Sequence, residues 1–428
     1  MNKSERRGEF VFETPDTEAI ESALYQEHLK LADRSHIAAF AGYLMPLWYS
    51  SISREHQAVR QTAGVFDCTH MGALEVAGKD AAAFLNFITT NEISDMTVGA
   101  ARYSYVLDAA GNVLDDIIIY RRGEDKFIVV VNAANELKIK AYLESLQEDK
   151  ICIDADDAGR KLLYKPSIRD MRDTFGGSDC RVDIALQGPT STDVLLKLAD
   201  KKTGELVRNL KSFHFIGTII AGIDCIISRT GYTGAKTGFE LFIHPKSAPQ
   251  LWNLILENGK SFGLMPCGLG ARDSLRVEAG LPLYGHELAG TFNISPFEAG
   301  YGWAVKLEKE FFIGMAAMKK KAKTYNMQVA RIELPGEKGI RPVRQGDGVL
   351  DDGGRCIGWV LSCAGAGEKQ IALVYMNKDA IKEGGSAGVY YLARSQGQTA
   401  QGRKQTVQKG ENLKADIAGT QVSRFARF

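Results

Sequence analysis

The sequence predicts a multidomain α/β protein that ends in a small β-barrel. The chain has 428 residues, which is enough for two or three domains with well-buried cores. From Ala73 onward, short apolar strands alternate with segments of helical spacing. Beyond about Thr324, short strands separated by Gly turns replace that alternation, a pattern typical of a barrel.

Composition and charge argue against several classes of partner. Hydrophobic residues make up 45% of the chain, charged residues 25%, and the formal net charge is +1. This balance gives no electrostatic basis for binding nucleic acid or an anionic membrane. No apolar run reaches the about 18 residues of a membrane span, and the seven cysteines form no C-x-x-C pair. We therefore expect a cytoplasmic protein with neither a disulfide framework nor a metal site.

Several segments of the first 150 residues have clear secondary-structure patterns. Helical spacing over 18–31 predicts a helix. Residues 102–107 and 113–120 flank the turn DAAGN and predict a β-hairpin. The apolar run 127–131 predicts a buried strand, and 135–146 predicts a helix. The positions of that helix expected to face the core are Leu137, Ile139, Leu143 and Leu146.

The central part of the chain contains one segment of different character. Residues 159–183 are polar, highly charged and rich in turn residues, so we expect an exposed excursion there. Strand-then-helix order resumes at Ile184 and leads to a helix over 249–259. A further helix over 270–279 is expected to end at Gly280, a residue suited to the C′ position.

Two adjacent carboxylates interrupt the apolar strand VLDDIIIY at 113–120. Side chains of a strand alternate between its faces, so Asp115 and Asp116 point to opposite sides. A carboxylate in apolar surroundings is costly unless it is paired or functional. Stabilisation of the hairpin turn and a role in a pocket are both compatible with this pattern.

Two further stretches contain residues suited to ligand binding. The Gly-rich stretch RTGYTGAKTGFELFI at 229–243 lacks the Gly-Lys-Ser/Thr end of a phosphate loop, so a tight β-turn excursion also explains it. Arg272 and Arg276 are four residues apart and share one helix face. Asp273 and Glu278 could equally neutralise these two arginines at the surface.

Four stretches of the chain resemble the T-proteins of the glycine cleavage system, the tetrahydrofolate-dependent aminomethyltransferases. They are FDCTHMG at 66–72, YSYVLDAAGNVLDDIIIY at 103–120, GYTGAKTGFE at 231–240, and GLGARDSLRVEAGLPLYGHELAGTFNISPFEAGYGW at 268–303. The chain departs from the family where Tyr43 replaces the usual Trp and where the excursion after residue 158 adds about two dozen residues.

The resemblance implies a three-domain cloverleaf of the aminomethyltransferase type with a C-terminal β-barrel. Its domains would be a discontinuous first α/β folate-binding domain at 1–67 and 183–275, a second α/β domain at 68–158 and 276–324, an exposed insertion at 159–182, and a barrel with a tail at 325–428.

The same resemblance implies a set of site residues. Asp115 would be catalytic, beside the N5/N10 edge of the reduced folate. Glu240 would bind the two-donor edge of the pterin, an arrangement that suits a bidentate carboxylate. The residues implied to hold tetrahydrofolate are Met71, Tyr103, Asn132, Tyr232, Glu240, Arg272 and Tyr284. Arg272 is favoured over Arg276 for the p-aminobenzoyl-glutamate end, and no metal is implied.

The implied reaction moves a one-carbon unit from the aminomethyl-lipoyl arm of a carrier protein, the H-protein, to tetrahydrofolate and releases ammonia. Two alternatives use the same scaffold. One is a folate-dependent demethylase that acts on a small methylated compound. The other is a non-catalytic folate-binding accessory protein for iron–sulfur assembly, whose K-G-C-[YF]-x-G-Q-E motif would fall at EKEFFIGMAAM (308–318), where this chain has no cysteine.

Overall fold

The structure, a computed structural model, describes residues 7–426 and residue 428, which form two compact units. The first unit comprises 7–231, 235–270 and 303–321. The second unit comprises 232–234, 271–302, 322–426 and Phe428. In the described residues, no helix is both long and apolar enough to cross a lipid bilayer.

Twenty strands and ten α-helices define the fold of the described residues. The strands are β1 (Ile20–Glu21), β2 (Ile37–Phe40), β3 (Tyr43–Pro46), β4 (Gly64–Asp67), β5 (Gly72–Ala77), β6 (Ala101–Leu107), β7 (Val113–Gly123), β8 (Lys126–Val131), β9 (Ser167–Asp170), β10 (Val182–Gln187), β11 (Phe215–Ile220), β12 (Ile223–Ser228), β13 (Gly238–Ile243), β14 (Met265–Cys267), β15 (Met327–Pro335), β16 (Gly348–Leu350), β17 (Cys356–Ala366), β18 (Lys369–Asn377), β19 (Ser386–Tyr390) and β20 (Ile417–Val422). The helices are α1 (Tyr25–His28), α2 (Ile52–Gln61), α3 (Ala81–Ile88), α4 (Glu136–Gln147), α5 (Ser191–Leu198), α6 (Lys201–Asn209), α7 (Ala248–Gly259), α8 (Leu269–Ala279), α9 (Met315–Thr324) and α10 (Gln396–Ala400).

The first unit contains three sheets. A small sheet has the order β1-β3-β2, a six-stranded sheet the order β11-β12-β13-β10-β4-β14, and a five-stranded sheet the order β6-β7-β8-β5-β9. The six-stranded sheet is mixed: β14 runs parallel to β4, and every other pair of neighbouring strands in this sheet is antiparallel. The predicted combination of strands and helices is therefore confirmed in this unit.

The five-stranded sheet is buried on both faces. On one face, Ile117 and Ile119 of β7 join the core beneath α3 and α4. On the other face, Ile118 and Tyr120 pack with Phe242 of the six-stranded sheet. Burial on both faces explains why this part of the sequence runs nearly continuously apolar instead of alternating with polar residues.

A buried polar cluster around Asp67 joins the N-terminal segment to β4. The Asp67 carboxylate accepts the Ser22 hydroxyl at 2.8 Å and the Thr69 N–H at 2.7 Å, and it lies 2.7 Å from Nε2 of His28. Nδ1 of His28 in turn lies 2.8 Å from the Tyr49 hydroxyl. Burial alone would raise the pKa of Asp67, but the hydrogen bond and charge of His28 outweigh it and lower the pKa to about 2.

The second unit contains a closed barrel with the order β15-β18-β17-β16-β19-β20. Apolar side chains such as Ile332, Val349 and Val374 fill its core. Closure pairs every strand on both sides and leaves no exposed sheet edge. The barrel predicted for the C-terminal region is therefore confirmed, whereas the domain boundaries given above stay a prediction.

Three local predictions differ from the structure. Helical spacing over 18–31 is realised only by Tyr25–His28, which follows the short strand β1. Leu137, predicted to face the core, is 50% exposed, because α4 buries Ile139, Leu143 and Leu146 on another side. The segment predicted to be an exposed excursion supplies strand β9, which pairs with β5 at the sheet edge.

Candidate functional site

Asp115 lies on β7 with its side chain fully buried, at 0% exposure. Its Oδ2 accepts the backbone N–H of Asn132 at 3.0 Å. Its Oδ1 accepts the side-chain amides of Asn132 at 2.8 Å and of Asn135 at 2.5 Å. Protein donors therefore engage both of its oxygen atoms, and neither is open to solvent.

Asp116 points to the opposite side of β7 and is partly exposed. Its Oδ2 accepts the Tyr103 hydroxyl at 2.9 Å, and its Oδ1 accepts the side-chain amide of Asn132 at 2.9 Å. The same amide nitrogen thus donates to both aspartates. The predicted alternation of the two carboxylates is confirmed.

The two aspartates influence each other's ionisation. Burial raises the pKa of Asp115, and the negative charge of Asp116 raises it further, to about 8, against the opposing amide donors. Burial also raises the pKa of Asp116, although the Tyr103 hydroxyl and the Asn132 amide oppose this effect. Because Asp116 keeps contact with water and Asp115 does not, Asp116 is the carboxyl of the pair that ionises more readily.

Glu240 lies on β13 and is 9% exposed. Its Oε2 accepts two hydroxyls, that of Tyr120 at 3.2 Å and that of Thr230 at a shorter separation. Burial and the charge of Glu240 raise the pKa of Tyr120 well above its usual range, so its hydroxyl stays a donor. Within the part of the chain that the structure describes, no hydrogen bond reaches Oε1, which can accept a donor from a ligand.

Asp116 and Glu240 are both related to Tyr120 of β7 in the first unit. Asp116 and Tyr120 lie on the same face of β7, about 13 Å apart at the usual rise of a strand, and Tyr120 contacts Glu240. Tyr103 and Asn132 both contact Asp116. We name these five residues the acidic face.

Two more side chains of the first unit have surface that a ligand can reach. Met71 is partly exposed in the turn between β4 and β5, where its backbone N–H donates to the Cys68 carbonyl at 2.9 Å. Trp303 is 54% exposed, and its ring lies 5.9 Å from that of Tyr103. A half-exposed aromatic ring at this position offers a flat apolar surface to a ligand.

The remaining predicted residues lie in the second unit. The Tyr232 hydroxyl donates to the Pro282 carbonyl at 2.5 Å, and the Arg272 guanidinium lies 5.3 Å from the Tyr232 ring centroid. Arg272 and Tyr284 are both partly exposed.

Arg276, by contrast, is only 1% exposed. It donates to Glu287 at 2.5 Å and to Asp273 at 2.8 Å. These contacts give it a structural role, whereas Arg272 of the same helix keeps exposed surface.

The structure thus brings Asp115, Tyr103 and Asn132 together around Asp116, whereas Glu240 contacts Tyr120 further along β7. Sequence reasoning noted Asp116 but assigned it no site role, and it missed Tyr120, Thr230, Asn135 and Trp303. One signal in the sequence could have indicated Tyr120. It has a polar hydroxyl, it ends an apolar strand, and it lies on the same side of that strand as Asp116. Among the described residues, no three His, Cys, Asp or Glu side chains converge as metal ligands.

Comparison with known proteins gives consistent results. Residues 24–309 match the family model described as the GCVT N-terminal domain. An aminomethyltransferase of Halalkalibacterium halodurans is 43% identical over 282 residues, which cover 66% of this chain and 70% of that protein. An aminomethyltransferase of Streptomyces avermitilis is 41% identical over 355 residues, which cover 82% of this chain and 87% of that protein.

Among solved structures, the glycine cleavage system aminomethyltransferase T from Bartonella henselae matches with a TM-score of 0.73 at 28% identity. The match covers 94% of this chain and 97% of that chain, and it confirms the predicted fold type. Fold and sequence together define an enzyme of the one-carbon transferase class, an aminomethyltransferase. The chain belongs to the glycine cleavage T-protein family.

Proposed function

We propose that this protein transfers a methylene unit from the aminomethyl-lipoyl arm of a carrier protein to tetrahydrofolate and releases ammonia. Membership of the T-protein family supports the reaction. The observation that carries the proposal is the acidic face, which has a partly exposed carboxylate near one end and a buried one at the other.

The reaction requires a group that can hold a proton beside the folate nitrogens. The transferred carbon leaves the lipoyl sulfur and the amino nitrogen and joins N5 and N10 of the folate. The two hydrogens that these nitrogens lose appear on the lipoyl thiol and on ammonia. A carboxylate within hydrogen-bond reach can hold one of these protons during the transfer.

We assign this proton-holding role to Asp116, whereas the sequence predicted it for Asp115. Asp116 is partly exposed and lies on the acidic face. Asp115 is fully buried, and its oxygens accept amide donors of Asn132 and Asn135. Asp115 can act on the reaction only through Asp116 and Asn132.

Glu240 is proposed to bind the two-donor edge of the pterin through Oε1, while Tyr120 and Thr230 hold Oε2 in place. A protein carboxylate whose rotamer is already fixed loses little conformational freedom on binding. The other residues proposed to contact the folate are Met71, Tyr103, Asn132, Tyr232, Arg272 and Tyr284.

The experiment that tests the proposal compares one-carbon donors. Purified protein and tetrahydrofolate are mixed with an aminomethylated lipoyl carrier protein or with a panel of small S-, O- and N-methyl compounds. We expect methylene-tetrahydrofolate and ammonia to form in equal amounts with the carrier alone. Turnover of a small methyl compound without ammonia would instead identify a demethylase.

A further inference from the structure

Lys138 lies on the first turn of α4 and approaches the aspartate pair through one intermediate side chain. Its Nζ donates to Oδ1 of Asn135 at 2.9 Å, and Nδ2 of Asn135 donates to Oδ1 of Asp115 at 2.5 Å. Asn132 continues the chain of contacts from Asp115 to Asp116. The amides of Asn135 and Asn132 therefore join the Lys138 ammonium to the two aspartate carboxylates.

The ammonium determines how the Asn135 amide is oriented. An ammonium can only donate, so the atom that it contacts must be the amide oxygen. The NH₂ end of Asn135 then has to face Asp115, which presents an accepting oxygen. Without Lys138, the amide could turn over and present its oxygen to a protonated Asp115.

The polar side chains that hydrogen-bond around Asp115 and Asp116 come from several neighbouring elements. Tyr103 comes from β6, Asn132 from the end of β8, Asn135 from the turn before α4, and Lys138 from α4 itself.

Two other charged side chains of α4, Glu136 and Lys140, are engaged elsewhere. Glu136 contacts Lys140 at 2.5 Å and also pairs with Arg172. Lys140 is further paired with Asp170 at 2.5 Å. Lys140 is therefore a lysine of the same helix as Lys138, but it contacts different acidic residues.

We infer that Lys138 is a positioning residue for the acidic pair: through Asn135 it fixes Asp115, and its charge favours ionisation of the pair. This inference rests on the function proposed above for Asp116. Burial lowers the pKa of Lys138 to about 8 despite the attraction of Asp115, so the amine remains mainly charged at neutral pH. A nearby cation favours the ionised form of a carboxyl, and its removal raises the carboxyl pKa.

The first test follows the two carboxyls directly. Protein labelled with ¹³C at aspartate is titrated by NMR, with Asp115→Asn and Asp116→Asn used to assign the two signals. Lys138→Gln keeps a donor for Asn135 but removes the charge, and we expect it to move the titration of the pair upward by about one pH unit. Lys140→Gln is the matched control and should leave that titration in place.

Two more variants separate charge from packing. Lys138→Arg keeps the charge and should retain the wild-type titration, and a shift as large as that of Lys138→Gln would overturn the inference. Asn135→Leu removes the connecting amide and should move the titration in the same direction as Lys138→Gln. An unchanged titration in either Lys138→Gln or Asn135→Leu would also overturn the inference. If one of these two variants does not fold, the other still tests the inference.

The second test measures kcat against pH. Loss of the Lys138 charge should move the acid limb upward by the same amount, so that kcat on the acid side falls about tenfold while the Kd for tetrahydrofolate stays unchanged. A purely structural role would lower kcat equally at all pH values. If the wild type shows no aminomethyl transfer, the proposed function fails, and the NMR titration still decides the role of Lys138.

Discussion

Asp67 and Asp115 are both buried aspartates of the first unit, yet their surroundings shift their pKa values in opposite directions. Asp67 faces a histidine, a hydroxyl and a backbone N–H, and its pKa falls to about 2. Asp115 faces amide donors but also the carboxylate of Asp116, and its pKa rises to about 8. Burial is common to both, so the neighbouring groups decide the direction.

The difference separates an aspartate with a structural role from the pair to which we assign a functional one. The Asp67 cluster stabilises the fold, because its hydrogen-bond partners stabilise the ionised carboxylate more than water does in the unfolded chain. Burial and the neighbouring Asp116 disfavour the ionised form of Asp115, which opposes folding at neutral pH. Clusters that destabilise the fold in this way are typical of active sites.

The largest effect is expected for Asp116→Asn. This variant removes the carboxylate that we place beside the folate nitrogens, and we expect kcat to fall by about 10² to 10⁴-fold. The Kd for tetrahydrofolate should change little, because Glu240 is unaffected. The measurement is steady-state formation of methylene-tetrahydrofolate, and a near wild-type rate would remove Asp116 from the mechanism.

Glu240→Gln should weaken tetrahydrofolate binding by about 2 kcal/mol, because a charged hydrogen-bond acceptor is replaced by a neutral amide. Calorimetry of binding measures this change. Glu333→Gln, on strand β15 in an exposed ion pair with Lys369, is a control that should bind normally. Equal affinity in both variants would contradict the pterin assignment.

Asp67→Asn should lower the free energy of unfolding by about 2 kcal/mol at neutral pH. Since the pKa of Asp67 is depressed in the fold, the stability it contributes is present above about pH 4 and is lost as pH falls towards 2. Denaturant unfolding at several pH values should therefore show the two proteins converging in acid.

A matched control for this measurement is Asp224→Asn. Asp224 pairs with Arg181 at 2.6 Å, but its side chain is 67% exposed. Arg181 is buried but also pairs with Asp179 at 3.0 Å, so it keeps a partner in this variant, and we expect a loss of about 1 kcal/mol or less. A loss as large as that of Asp67→Asn would show that burial of Asp67 is not what makes its cluster strong.

The smallest effect is expected for Asp115→Asn. Because the pKa of Asp115 is raised in the fold, the wild type should lose stability as pH rises from about 4 to 8, and this variant should lose less. We expect kcat to fall by less than about tenfold. A collapse of kcat comparable with that of Asp116→Asn would return the catalytic role to Asp115.

The sequence predicted the hairpin and its carboxylates well because these features depend on local periodicity. The predicted strands at 102–107 and 113–120 correspond to β6 and β7. Alternation placed Asp115 and Asp116 on opposite faces but could not say which face is open. That choice depends on α4 covering one side of the sheet, and α4 is separated from the pair by another strand.

The features that the sequence did not predict also depend on tertiary packing. Leu137 fits helical spacing, but the neighbours of α4 bury a different side of that helix. The contact of Tyr120 with Glu240 joins residues 120 positions apart, in different sheets. Such a contact depends on tertiary packing, which no local pattern contains.

The barrel has a consequence for how the protein is made. Its first strand, β15, pairs with β20, and these two strands are separated by β16 to β19 in the sequence. A chain emerging from the ribosome therefore presents β15 with one side unpaired until residue 422 has been synthesised. A nascent-chain protease assay should find this region cleavable throughout that interval and protected shortly after it.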